Sequence, residues 1–188
     1  MAQRRLHTRA CGGRTFCVVR HPYARLISEF CYRGYNSRHL QQLAEQRGLT
    51  SRDEALVALL NEHLLRVLRV LREHQAARAA GRVYARKGCH FIPQADYVYD
   101  EQGQRTCDHV LRQEHLVDEF GALMRAYGLN VTLPAPVPTF RFHIREITLS
   151  THRADACAPH LHIHNLSAPV RALARDLYPD DFALGNYS

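Results

Sequence analysis

Between Thr50 and Gly81 the chain reads TSRDEALVALLNEHLLRVLRVLREHQAARAAG, and this stretch limits the available folds more than any other. Ser51 and Glu54 are spaced as a capping box that opens a helix, and Gly81 is placed to stop it. Leu56, Leu60, Leu64, Leu68 and Leu71 recur along one helical face. Val57, Leu59, Leu65, Val67 and Val70 widen that face beyond the stripe of an ordinary surface helix. So broad an apolar arc must be covered on more than one side, and the chain is expected to build its core around this helix. Arg66, Arg69, Arg72 and Arg78 occupy the rest of the circumference and read as a solvated face, with a surface for an acidic substrate as the alternative. With 188 residues, 46% of them hydrophobic, there is material for one domain, residues 1–188, and one real core.

The second informative stretch is FCVVRHPYARLISEF, Phe16 to Phe30. Thr15 to Val19 is β-branched and aromatic, follows Gly12-Gly13 and precedes Pro22, which reads as a short buried strand. Pro22 suits the first position of a helix, where a missing N–H costs nothing, and Leu26, Ile27, Phe30 and Cys31 then recur at helical spacing. Arg20 therefore falls at a strand-to-helix turn, the place in open α/β sheets where ligands collect and where free N–H groups favour an anion. Arg25 and Ser28 can turn to one side of the helix, and a guanidinium beside a hydroxyl suits a phosphate. An ordinary strand with surface arginines is the plainer reading.

Further along, Leu116, Phe120, Leu123 and Met124 predict a helix to Tyr127, stopped by Gly128. Asp100 to Gly103 is turn-rich between DYVY and TCDHVLR, which suggests a hairpin or a looped strand pair. Three prolines in Leu133 to Phe140 suggest an extended crossing. In PHLHIHN, the alternating His160, His162 and His164 would share one face of an extended strand. They would then spread over about 13 Å, too far to converge on one tetrahedral ion, so no metal site is expected there.

Composition excludes some classes and names none. The net charge of +7 suits an anionic partner, but Lys87 is the only lysine, and an arginine bias of this kind also follows from genome base composition. No basic-aromatic interleaving or binding motif points to nucleic acid. No run reaches the ~18 apolar residues of a membrane-spanning helix, and MAQRRLHTRACGGR has no apolar leader core, so the chain as written reads as soluble. The six cysteines contain no C-x-x-C pair. Buried free thiols are the expectation, with a Cys89–Cys107 loop the alternative in an oxidising lumen.

Four segments resemble the carbohydrate-type sulfotransferase family, the Golgi glycan sulfotransferases and their microbial relatives. VVRHPYARLISEF is similar to the family's R-x-P-x-x-R-x-x-S motif through Arg20, Pro22, Arg25 and Ser28. HFIPQADYV resembles its His-aromatic-x-Pro-Gln segment through His90, Phe91, Pro93 and Gln94. DHVLRQEHLVDEF is similar to its Arg-aromatic-Glu-Asn-Leu segment through Arg112, Glu114, Leu116 and Phe120, departing from it at Gln113 and His115. VRALARDLYPDDFALGNY resembles the family's closing helix, Leu-Tyr, Asp-Phe and terminal aromatic.

The resemblance implies an α/β fold, a P-loop-like parallel sheet flanked by helices. It implies transfer of a sulfuryl group from 3′-phosphoadenosine 5′-phosphosulfate to a carbohydrate hydroxyl, with no metal. Arg20 and Ser28 would hold the donor's 3′-phosphate. Arg25 would be a second clamp or a structural ion pair. His90 is the candidate for the reacting end, or else a structural histidine. The family also has an upstream phosphate-cradling strand-loop-helix, for which the nineteen residues before Arg20 leave no room. Lys87 is a weak substitute. On this reading the chain binds donor product poorly, transfers little, and exposes apolar surface beside Phe16 to Val19. The alternative function is a catalytically inactive module that keeps only a 3′-phosphate or anion site. A Golgi lumen is implied for a form with an N-terminal anchor, and the cytoplasm otherwise.

Overall fold

The computed structural model describes residues 13–33, 37–79, 90–133 and 161–188. In chain order these form β1 (Phe16–Val19), α1 (Pro22–Arg33), α2 (Ser37–Arg47), α3 (Arg52–Ala79), α4 (Ala95–Val98), β2 (His109–Arg112), α5 (Leu116–Ala126), α6 (Ala168–Leu177) and α7 (Pro179–Leu184). Single 3-10 turns precede α5 and α6, at Gln113–His115 and Ile163–Asn165. The chain is thus an α/β protein, helix-rich, with one parallel pair of strands among the described residues. Lys87, Cys89, His160, the stop at Gly81 and nearly all of the proline segment from Leu133 lie outside them.

The long helix organises the core as its sequence demands. Ser51 Oγ accepts the Glu54 N–H at 3.2 Å in the usual way, and the Glu54 carboxylate reaches back to the Thr50 N–H at 2.7 Å, one residue farther than in the minimal box. Leu60, Leu64 and Leu68 are wholly buried. The wide apolar arc is used, because α1, α2 and α6 all pack against α3. Asn61 fastens it at the polar edge, donating to Asn165 O at 2.9 Å and accepting the Ser167 N–H at 2.7 Å where α6 begins. Arg66 and Arg72 are exposed, in keeping with a solvated face.

The sheet is built across a long crossover. β1 and β2 pair in parallel, with Phe16 opposite His109 and Val19 opposite Arg112. Asp108 starts the pairing by accepting the Thr15 N–H at 2.8 Å and holding Arg14 at 3.1 Å. DYVY does not form the strand expected beside the turn. Ala95–Val98 is a single helical turn, and only Tyr99 bridges back to Arg105 around Asp100 and the positive-φ Gly103. TCDHVLR instead sends its strand to β1, where Leu111 is buried on the strand that meets α5 and Val19 packs with Val98 and Cys107.

Two expectations about this region are corrected. β1 is buried on one side only: Val19 is 2% exposed, but Phe16 and Val18 are 43% and 44% exposed, and Phe16 meets the edge of the Phe120 ring at 5.7 Å. The exposed apolar surface beside the strand is therefore present. The cysteines are not all free thiols, and Cys107 does not wait for Cys89. Cys17 in β1 forms a disulfide with Cys107, whose Cα lies 5.8 Å away across the sheet, and Cys31 is disulfide-bonded as well. Pairing of β1 with β2 brings the segment just ahead of β2 to bonding distance of Cys17, which a reading of sequence spacing could not see.

The Cys17–Cys107 bond closes a loop with a sequence separation of 90, so it removes much of the unfolded chain's freedom. Cys17→Ser, Cys107→Ser and the double variant should each lower stability by the same amount, about 2–5 kcal/mol. Denaturant midpoints measure it. Additive losses in the double variant would show that the bond is not what stabilises the sheet.

Candidate functional site

The turn after β1 is gripped from three sides. Gln94 faces Arg20 as a neighbouring strand would: its Oε1 accepts the Arg20 N–H and its Nε2 donates to the Arg20 carbonyl, both at 2.8 Å. Glu114 accepts the His21 N–H at 2.8 Å. Pro22 has no N–H, and the Tyr23 N–H is taken by His21 Nδ1 at 3.2 Å. The first turn of α1 is thus largely capped by protein groups, and the free helix-start donors expected from sequence are mostly occupied. What the turn offers a ligand is the Arg20 side chain. Among the described residues no carboxylate pairs with its guanidinium, and Glu114 acts on it through space.

Behind Gln94 stands Asp181, only 1% exposed. Its carboxylate accepts the Gln94 N–H at 2.9 Å and the Ala95 N–H at 2.8 Å, and Arg25 lies 3.7 Å from it. A carboxylate buried this deeply survives only with such partners. Arg25 is therefore engaged structurally, with a quarter or less of its side chain open: 21%. It still lines a crevice with Pro22, Leu26, His90, Tyr178 and Asp181.

Tyr187 completes the third side. Its hydroxyl donates to Glu114 at 2.8 Å, and its ring lies 4.7 Å from that of His21. Partial burial works against the Glu114 charge, but the His21 N–H, its own N–H and the Tyr187 hydroxyl together hold its carboxyl below the usual range, with Arg20 adding attraction. Burial and the facing Glu114 push the Tyr187 phenol well above its usual value. His21 is held below its usual value, chiefly by burial and also by Arg175, against the opposing pull of Glu114.

Ser28 is exposed on α1, one turn beyond Arg25. Pro22, Arg25, Glu29 and Tyr32 follow one another along a single stripe of that helix, and His90 sits over it. His90 Nδ1 is 3.1 Å from the Glu29 carboxylate, and its ring stacks on Tyr32 with centroids 6.0 Å apart. Of the sequence-predicted residues, Arg25 and His90 line one crevice, whereas Arg20 precedes α1 and Ser28 lies exposed on its second half. Glu29 was not foreseen. The available signal was a carboxylate between Leu26-Ile27 and Phe30-Cys31, on the inward side of an amphipathic helix, where it is 8% exposed. The roles of Gln94, Glu114 and Asp181 were also invisible, since each is a contact with distant backbone.

His162 and His164 do not lie on an extended strand. Ile163–Asn165 is a 3-10 turn closed by the Asn165 side chain on the His162 N–H at 2.7 Å, and the two imidazoles stack 5.3 Å apart. The geometric argument made for this segment from sequence does not apply. Among the described residues no group of three or more His, Cys, Asp or Glu is placed to hold a metal.

Over residues 3–188 the chain matches the model of the sulfotransferase family. No curated protein and no solved structure matches it.

Gln94→Ala should cost about 2–3 kcal/mol of stability, because it strands two buried backbone groups of Arg20. Gln94→Glu should cost more, since its carboxylate would face both the Arg20 carbonyl and Asp181. Chemical denaturation ranks them, and an equal or smaller loss in Gln94→Glu would remove the clamp. A second expectation concerns pH. His21 and Glu114 both have lowered folded values, so each stabilises the fold above its unfolded value and loses that contribution as pH falls through the folded one. Melting temperature should therefore fall in two steps, one beginning below the His21 reference of 6.5 and one below the Glu114 reference of 4.5. His21→Asn, which caps without titrating, should abolish the first step only.

Proposed function

The chain belongs to the sulfotransferase family, and from that premise we propose that it moves a sulfuryl group from 3′-phosphoadenosine 5′-phosphosulfate to a hydroxyl of a carbohydrate. One observation carries the proposal. The segments that resemble the family's motifs, far apart in sequence, converge on the backbone of the Arg20–His21 turn through Gln94, Glu114, Asp181 and Tyr187. A turn held this firmly fixes the backbone from which the Arg20 guanidinium reaches out, and a guanidinium suits a doubly charged phosphate.

In this reading Arg20 binds the donor's 3′-phosphate and Ser28 adds a neutral hydrogen bond. Arg25, tied to Asp181, contributes positive potential at the edge. His90 serves as the base. As the acceptor oxygen bonds to sulfur, the bond from sulfur to the bridging phosphate oxygen breaks, the acceptor proton passes to His90, and the leaving adenosine 3′,5′-bisphosphate keeps the electron pair. No metal enters the step. We further place the protein in an oxidising compartment, a reading supported by the Cys17–Cys107 disulfide. No described helix is long and apolar enough to cross a membrane.

Calorimetry with adenosine 3′,5′-bisphosphate tests the donor site. Arg20→Ala should weaken binding by about 2–3 kcal/mol and Ser28→Ala by about 1 kcal/mol, without lowering the melting temperature. Arg25→Ala should instead destabilise the fold, because it leaves Asp181 buried and unpaired. Equal binding by wild type and Arg20→Ala would remove the assignment. A labelled-donor assay over a glycan panel then tests transfer, and binding with no transfer to any acceptor would favour an inactive anion-binding module.

A further inference from the structure

We propose that Glu29 is the positioning residue for His90: it accepts from Nδ1–H, fixing the tautomer and ring so that Nε2 presents its lone pair on the open side of the ring beside α1. The proposal rests on the reading of His90 as the base. An imidazole in water favours neither the orientation nor the tautomer a base requires. A carboxylate behind Nδ1 imposes both, as second partners of catalytic histidines do.

Four features single out this pair. Glu29 is 8% exposed while His90 keeps about half of its side chain open, 53%, so the carboxylate lies on the protein side of the ring and the rest of the imidazole faces outward. His90 Nδ1 and the Glu29 carboxylate are in ion-pair contact at 3.1 Å, and a small rotation of the half-open ring would align Nδ1–H on the carboxylate. Tyr32, one turn farther along α1, stacks on the imidazole at an interplanar angle of 28° and limits rotation about its ring bond. The ring also borders the narrow crevice lined by Arg25 and Asp181, which places it beside the second arginine of the motif. Among the described residues, the charged and titratable groups around it are Glu29, Arg25 and Tyr32 on α1, and Tyr178 and Asp181 at the α6–α7 corner. Arg25 and Asp181 are paired, and among the described residues Glu29 is the carboxylate that contacts the ring.

The test uses the full chain and two variants, Glu29→Gln and His90→Ala. Nitrogen-15 NMR of the His90 ring reads the tautomer directly. The wild type should hold the neutral ring as Nδ1–H, and Glu29→Gln, which can present either end of its amide, should shift it toward Nε2–H. In the labelled-donor assay, kcat should fall about 10–100-fold in Glu29→Gln and more in His90→Ala. Affinity for adenosine 3′,5′-bisphosphate should stay within about twofold in both, which a loss of fold would not allow. An unchanged tautomer in Glu29→Gln overturns the proposal, and so does an altered tautomer with unchanged kcat. Transfer that survives in His90→Ala overturns it together with the base assignment. A wild type that binds the bisphosphate but transfers nothing overturns the sulfuryl-transfer reading instead, and the tautomer measurement then decides the pairing by itself.

Discussion

The amide of Gln94 against the backbone of Arg20 is the contact on which the rest of the site depends. β1 has four residues and one strand partner among the described residues, so its end has no further ladder to hold it. Gln94 replaces the missing neighbour by offering a carbonyl and an amide to the same residue. A side chain can do this only if its own backbone is fixed, and Asp181 fixes it by accepting the two N–H groups that open α4. The position of Arg20 is thus set by a chain of contacts running from α7 through α4 to the strand end.

The same chain of contacts explains a division of labour between two arginines of one motif. Arg25 neutralises Asp181 and so permits a full carboxylate to be buried where the clamp needs it. Arg20 has no such partner among the described residues, and the proposed donor site uses its guanidinium. On the other flank Glu114 takes the His21 N–H and the Tyr187 hydroxyl, and its charge balances the turn without pairing directly with Arg20. Protein groups occupy most of the donors at the start of α1, so the proposed anion site rests on side chains rather than on backbone N–H groups.

The disulfide belongs to this design. Cys17 lies within β1 and Cys107 just ahead of β2, so the covalent bond ties together the strands that deliver Arg20 and Glu114. Two strands joined across a long crossover form slowly and hold weakly by hydrogen bonds alone. With Phe16 and Val18 left open on one face, burial contributes less here than in an interior sheet. The core around α3 holds the helices, whereas the bond and the polar clamps hold the site.

The sequence by itself determined the elements whose signals are local. The capping box and leucine period of α3, the apolar run of β1, Pro22 at the start of α1 and the Gly128 stop all act within a few residues, and each was legible. It also carried the family resemblance, because the motif residues are read one after another. Tertiary structure decided everything that depends on groups distant in sequence meeting in space. It chose a parallel partner for β2 over a hairpin with DYVY, coiled that segment into α4, and turned the alternating histidines into a 3-10 turn. It paired Cys17 with Cys107, brought Glu29 under His90, and aimed Gln94, Glu114 and Asp181 at one turn. The reason is physical: a period or a cap is an energy between near neighbours, whereas a polar side chain can satisfy its hydrogen bonds in many places and only packing selects which.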